Sequence, residues 1–355
     1  MRFHQGDVRE GIEVEQRAVL DARAPHAQRA LAGENLHAEG LLDVAVGARD
    51  GDFGRDAGHL GLRRVVLLHG NGLAARDAEP QQVDEGRAGG KAGGCGEALV
   101  GEESLNLVGF RTHGVAASAR EALRRLRQAG VRLFIATGRS SHGVPQVIRS
   151  LAEEIPFDGY LTFNDQYCYT ADGTVYRDVP LDVCDVHAIA EKANAGLFDL
   201  QVMQLSRTFV NRRSERVSRA EANVAEITPV LDLSHIDDEP VYQLCAFVDP
   251  GEERVFADAC AHVTHTRWCD AFCDVIPTGG GKPAGIAATL ERWGIAPEDC
   301  IAFGDGGNDV PMFGCVGVSV AMGNAHGAVK AAATHVAPDI DEDGLYVACK
   351  DLGLI

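Results

Sequence analysis

Five polar residues, Thr137, Asn164, Asp305, Asn308 and Asp309, stand at or just beyond the ends of short apolar runs. A sixth, Lys282, follows three successive glycines in TGGGKPAGI (Thr278 to Ile286) and is one of only five lysines in the chain. Hydroxyl, amide and carboxylate groups gathered on one edge suit an anionic substrate with a hard cation. Their oxygens fit Mg2+, which takes few protein ligands and leaves the rest of its shell to water and phosphate. Backbone N–H groups at a glycine turn, with an ammonium beside them, would neutralise a phosphoryl group. Each residue also has an ordinary role, because an Asp at a strand end caps helices and a Lys at a helix start is solvated. The reading therefore rests on the combination.

The elements that must bring these residues together begin at about residue 107. Ala116 to Gln128 puts Ala119, Leu123 and Leu126 on one helical face, with Gly130 where a terminating glycine would stand. VRLFIA (Val131 to Ala136) follows as an apolar strand ending in Thr137-Gly138-Arg139, and GYLTF (Gly159 to Phe163) stops at Asn164. CIAFGD (Cys300 to Asp305) and GVSVAM (Gly317 to Met322) repeat the pattern, and a helix is expected from Lys282 to about Trp293. Strand, polar residue, helix, repeated, predicts an α/β doubly wound parallel sheet, in which ligands bind at the carboxyl ends of the strands.

On these residues the chain resembles a known family. ATGR (Ala136 to Arg139), GGGKPAGI (Gly279 to Ile286) and FGDGGNDVPMF (Phe303 to Phe313) are similar, in order, to motifs two, three and four of the haloacid dehalogenase superfamily. More narrowly they resemble its Cof-type phosphatases with a type IIB cap. The M-G-N-A string at Met322 to Ala325 and LTFNDQYCYTADGTVY (Leu161 to Tyr176) resemble further segments of that group, with Asp165 where a glycine is usual. The likeness spans residues 107 to 355, about 70% of the chain. It implies a core sheet with an inserted α/β cap, and a Mg2+-dependent phosphatase that hydrolyses a small phosphorylated metabolite through an aspartyl-phosphate. Thr137, Gly138, Lys282 and Asn308 would bind phosphate, Lys282 also serving catalysis; Asp305 and Asp309 would hold the metal, and Asn164 would face the substrate. The expected divisions are 1–105, 106–179 (core), 180–268 (cap) and 269–355 (core).

The family's first motif is an apolar strand running into Asp-x-Asp-Gly-Thr, whose first Asp attacks phosphorus while the second handles protons. Counted back from Leu107-Val108, it falls on Glu102, Glu103, Ser104, Leu105 and Asn106. Glu102 then takes the nucleophile position, about 1.5 Å out of place by one extra methylene, and Ser104 cannot act as a carboxylic acid. A second register through Leu105 to Phe110 puts Arg111 and His113 there, and Asp50-Gly51-Asp52 lacks an apolar run ending at the first Asp. A catalytically silent phosphate-binding member, or the product of an altered gene start, is the alternative reading.

Residues 1 to 100 hold 17 of the 41 glycines, no Trp or Tyr and two Phe. So few large apolar groups cannot offset the entropy of ordering, so an irregular or disordered extension is expected, with a helix at Glu13 to Ala24 and a linker at Asp77 to Gly96. VVLLHGNG (Val65 to Gly72) resembles the oxyanion loop of an α/β-hydrolase, but the required G-x-S-x-G elbow is missing from the sequence. A strand followed by a glycine turn is the reading that remains. The charge of −19 disfavours nucleic acid and anionic lipid. No apolar run spans a bilayer and no leader layout opens the chain, so a cytoplasmic monomer or weak homodimer is expected. The ten scattered cysteines read as reduced thiols. His265, Cys269 and Cys273, spaced by four, would make a metal set only on a helix; core packing is the plainer reading. DIDEDG (Asp339 to Gly344) reads as a helix cap.

Overall fold

A computed structural model describes residues 65–70, 107–109, 114–224, 227–267 and 269–355. Two sheets organise them. The first has eight strands in the order β13-β12-β11-β1-β2-β3-β4-β5: β1 (Val65–Gly70), β2 (Arg132–Thr137), β3 (Gly159–Thr162), β4 (Tyr167–Thr170), β5 (Val175–Asp178), β11 (Cys300–Gly304), β12 (Val318–Ala321) and β13 (His335–Val336). Strands β13 to β3 in that order pair in parallel, and β4 and β5 add an antiparallel edge.

Strand β1 shows why the sheet is doubly wound. Its four apolar side chains are nearly or wholly buried, and they alternate between faces. Val66 and Leu68 join one cluster with Leu123 and Leu126 of α1 (Ala117–Gln128) and Leu345 of α9 (Gly344–Asp351). Val65 and Leu67 join another with Ile286 and Leu290 of α6 (Lys282–Trp293) and Met312 of α7 (Val310–Phe313). Two such faces require helices on both sides, which is what a near-continuous apolar strand encodes.

The second sheet is antiparallel, in the order β7-β6-β8-β10-β9, built from β6 (Asp199–Gln204), β7 (Thr208–Val210), β8 (Val241–Phe247), β9 (Val263–Thr266) and β10 (Cys273–Pro277). With α3 (Val183–Asn194), α4 (Glu215–Val224) and α5 (Arg254–Ala257) it forms the inserted cap. The remaining helices are α2 (Gln146–Glu154) and α8 (Gly327–Ala332).

Most expected elements fall within a residue or two of their sequence bounds, and Gly130 ends α1 at φ 78°. Two findings differ from expectation. Val65–Gly70, read as a strand within an otherwise irregular extension, is the central strand of the core sheet. The cap sheet continues past Trp268, itself outside the described residues, to Pro277, because β10 pairs with β8 and β9. His265 and Cys273 lie on separate strands, so no helix aligns them. Asp339 caps a 3-10 turn by accepting from the Asp341 N–H at 2.9 Å, and α9 follows it. Glu102, the Arg111 and His113 register, Asp50-Gly51-Asp52, the Glu13 to Ala24 helix and the Asp77 to Gly96 linker lie outside the described residues. Among the described residues no helix is long and apolar enough to cross a membrane.

Candidate active site

The carboxyl edge of β2, β1 and β11 collects the polar residues singled out above. Thr137 ends β2 at 1% exposure, and its hydroxyl accepts from the Arg139 N–H at 3.2 Å. Gly138 behind it is buried. In register, His69 of β1 pairs with Ala136 and Gly70 with Thr137, while on the other side Leu68 pairs with Phe303. The end of β1 therefore lies between the strand that ends in Thr137 and the strand that leads into Asp305.

Asp305 begins the loop after β11, and Asp309 closes it. The Oδ2 of Asp309 accepts from the backbone N–H of Asp305 at 2.8 Å and of Gly306 at 2.9 Å, while its Oδ1 accepts from Lys282 Nζ. Both side chains of that ion pair are essentially inaccessible. An ion pair so buried stands only if its geometry is good and its other lone pairs are met, as the two amides do here. The glycines of the loop are packing requirements: a Cβ on Gly304 would lie 2.7 Å from Asp309 Cβ, and one on Gly306 would lie 2.7 Å from Asn308 Oδ1. Lys282 opens α6 directly after Gly281, whose φ of 84° a side chain would strain.

Asn164 arrives from an unusual turn. Phe163, Asn164 and Asp165 have φ of 55°, 52° and 66°, three successive left-handed residues without a glycine. The turn is tied down by the Phe163 N–H donating to the Arg139 carbonyl (2.8 Å) and the Asn164 N–H to the Thr137 carbonyl (3.1 Å). Such backbone persists only where its surroundings fix it. Asp165 is wholly buried, and neither carboxylate oxygen finds a hydrogen-bond partner among the described residues. Burial pushes its carboxyl up to about 8, against the opposing pull of Lys282 and Arg177.

The oxygen donors fit a hard cation. Asn324 Nδ2 donates to Asp305 Oδ2 at 2.9 Å, and the buried side-chain carbonyls of Asn308 and Asn324 have no donor among the described residues. An orphaned buried carbonyl beside a carboxylate is suited to a cation or a bridging water. Asp309, by contrast, has both oxygens engaged with Lys282 and the loop amides.

Thr137, Lys282, Asp305 and Asp309 thus share one strand-end region with the end of β1, and Asn308 joins Asn164 at 3.1 Å. Sequence reasoning missed Gln243, Asp274 and Asn324. A carboxylate inside CDVIP and an amide inside VYQLCAF were the available signals, since buried polar groups in apolar strands need partners.

Comparison with known proteins agrees with this geometry. The family model described as haloacid dehalogenase-like hydrolase matches residues 110–348. A Bacillus subtilis protein, YkrA, provisionally named a phosphatase, is 30% identical over 241 residues, 67% of this chain and 91% of its own. The solved structure of BT1666 from Bacteroides thetaiotaomicron, a phosphatase of the same enzyme superfamily, superposes with a TM-score of 0.68 at 28% identity, covering 86% of this chain and all of that one. The subclass IIB sugar phosphatase BT4131 gives a TM-score of 0.66 at 27% identity, covering 82% of this chain and all of that one.

Proposed function

The chain belongs to the haloacid dehalogenase-like hydrolases, and from that premise we propose that its core edge binds the phosphoryl group of a small phosphorylated metabolite beside Mg2+, for hydrolysis of the phosphomonoester. One observation carries the proposal: the buried Lys282 and Asp309 pair, clamped by two loop amides, stands next to Asp305 at the carboxyl edge of the central strands.

Asp305 and the Asn308 carbonyl would hold the cation, and Asp309 would support it by fixing the loop and aiming Lys282. Mg2+, when bound there, would offset charge on the phosphoryl oxygens. The Thr137 hydroxyl and the backbone at Gly138 would orient the phosphoryl group, while the Lys282 ammonium would neutralise charge that develops in transfer. The cap would exclude water and choose the substrate.

A second reading has its own observation. The strand set between β2 and β11 is β1, and its last residues are His69 and Gly70, with no carboxylate on the strand. An aspartyl-phosphate route needs a carboxylate there, which favours a member that holds phosphate without turning it over. Glu102, the candidate from sequence, lies outside the described residues.

Calorimetric titration with Mg2+ and inorganic phosphate, beside hydrolysis of p-nitrophenyl phosphate, tests both readings. Mg2+-dependent phosphate binding that Asp305→Ala abolishes is expected; phosphate binding that ignores Mg2+ and Asp305→Ala would sink the site assignment. Turnover by the unmodified chain supports the first reading. Binding without turnover supports the second.

A further inference from the structure

The loop that carries Asn308 is tied to the cap by a chain of buried amides. Asn308 Nδ2 donates to Asn164 Oδ1 at 3.1 Å. Asn164 Nδ2 donates onward to two cap residues, Gln243 Oε1 on β8 at 2.8 Å and Asp274 Oδ2 on β10 at 2.9 Å. All four side chains are at most 3% exposed. Asp274 Oδ1 accepts from the Cys245 thiol at 3.3 Å, which fixes the carboxylate from its other side. A second point of approach lies beside the first, where the Arg267 carbonyl would come within 3.1 Å of a Cβ on Gly307.

Asn164 spends both kinds of polar atom across this joint. Its carbonyl oxygen faces the core loop and its amide nitrogen faces the cap, so the two bodies compete for no atom and neither can move without breaking a buried bond. Its backbone adds stiffness, being pinned to Thr137 at φ 52°. A buried donor left without its acceptor is costly, so an open joint must resolvate these groups.

We infer that Asn164, Gln243 and Asp274 form a clasp that transmits the position of the cap to Asn308, which makes Asp274 a positioning residue of the phosphoryl site. Asp274 acts through Asn164 and touches no reacting atom. The closed cap holds the Asn308 amide nitrogen in one orientation, and its buried carbonyl is thereby aimed along with it. The clasp rests on the phosphoryl-site reading above for its chemical consequence, although its mechanical part does not.

The test uses the full chain and two measurements. In the first, Mg2+-dependent binding of inorganic phosphate is titrated in Asp274→Ala, Asn308→Ala and the double variant. Each single change is expected to weaken binding about tenfold, and the double about tenfold rather than a hundredfold, because the two residues act as one unit. Asp274→Asn keeps an acceptor for Asn164 and is expected to restore parental affinity. Additive losses, or parental affinity in Asp274→Ala, overturn the clasp. The second measurement is amide hydrogen exchange without ligand. Asp274→Ala is expected to speed exchange across residues 305–309 about tenfold, and Asp274→Asn to leave it at the parental rate. Unchanged exchange in Asp274→Ala overturns the clasp even where phosphate fails to bind, whereas a parent that does not bind phosphate overturns only the function reading.

Discussion

The core edge and the cap face that meets it handle buried charge in opposite ways. At the core edge a carboxylate is answered by a cation and two amides: Asp309 has Lys282 and the N–H groups of Asp305 and Gly306. At the cap face the hydrogen bonds that Asp274 accepts among the described residues come from a neutral amide and a thiol, Asn164 and Cys245, with Lys282 and Arg267 acting on it through space. Burial pushes its carboxyl up to about 6, with those two hydrogen bonds pulling the other way. The core edge holds its carboxylate by direct contact with a cation, and the cap face holds its carboxylate by neutral donors.

The most severe way to break the contrast is to remove the cation. Lys282→Met leaves Asp309 charged and buried, and stability in urea is expected to fall by about 3–5 kcal/mol. A loss below about 1 kcal/mol would show that the pair does not govern the core edge.

A pH series sharpens the same contrast. Because burial raises the Asp274 carboxyl from 3.8 to about 6, the folded protein holds this proton more tightly than the unfolded chain. Its contribution to stability is therefore complete below about pH 4 and is lost as pH rises through 6. Asp165, raised to about 8 by burial, extends the loss further. Asp274→Asn should remove the first part, so that its urea stability relative to the parent improves by roughly 3 kcal/mol between pH 4 and 7. Parallel pH curves for the two proteins would refute the assignment.

The core turn that carries Asn164 is probed by volume. A Cβ on Gly285 of α6 would lie 2.2 Å from Asp165 Cβ, and Gly285→Ala is expected to cost about 1–3 kcal/mol in thermal or urea unfolding. The mildest change runs the other way. Asp165→Gly removes an unpartnered buried carboxylate and supplies the residue suited to φ 66°, so a gain of about 1 kcal/mol is expected. Lower stability in that variant would mean that the carboxylate has a partner that the contrast overlooks.

Much of the core edge was legible because local sequence encodes it. Apolar runs ending in Thr137, Asn164 and Asp305 each declare a buried strand and its polar terminus, and the three glycines before Lys282 mark the start of α6 within one residue. What stayed hidden depends on pairing between distant segments. VVLLHG reads as a strand by itself, yet only its register with Arg132–Thr137 and Cys300–Phe303 makes it the centre of the sheet. Gln243 and Asp274 look like isolated polar intrusions until β8 and β10 lie side by side and present both to Asn164. The cap boundary was misplaced for the same reason, since β10 belongs with strands that precede it by many residues.

Among the described residues strand β1 links the two halves of the core sheet: β11, β12 and β13 lie on one side, β2 to β5 on the other. A polypeptide beginning at residue 106 would hold both halves with an unsatisfied row of N–H and C=O groups facing the gap. Each such row is a template for any extended segment that comes along, and two apolar templates in one molecule favour self-association into oligomers or fibrils. The six residues Val65–Gly70 occupy that gap, and a peptide carrying them is expected to raise the solubility of the shortened chain by filling the slot in trans.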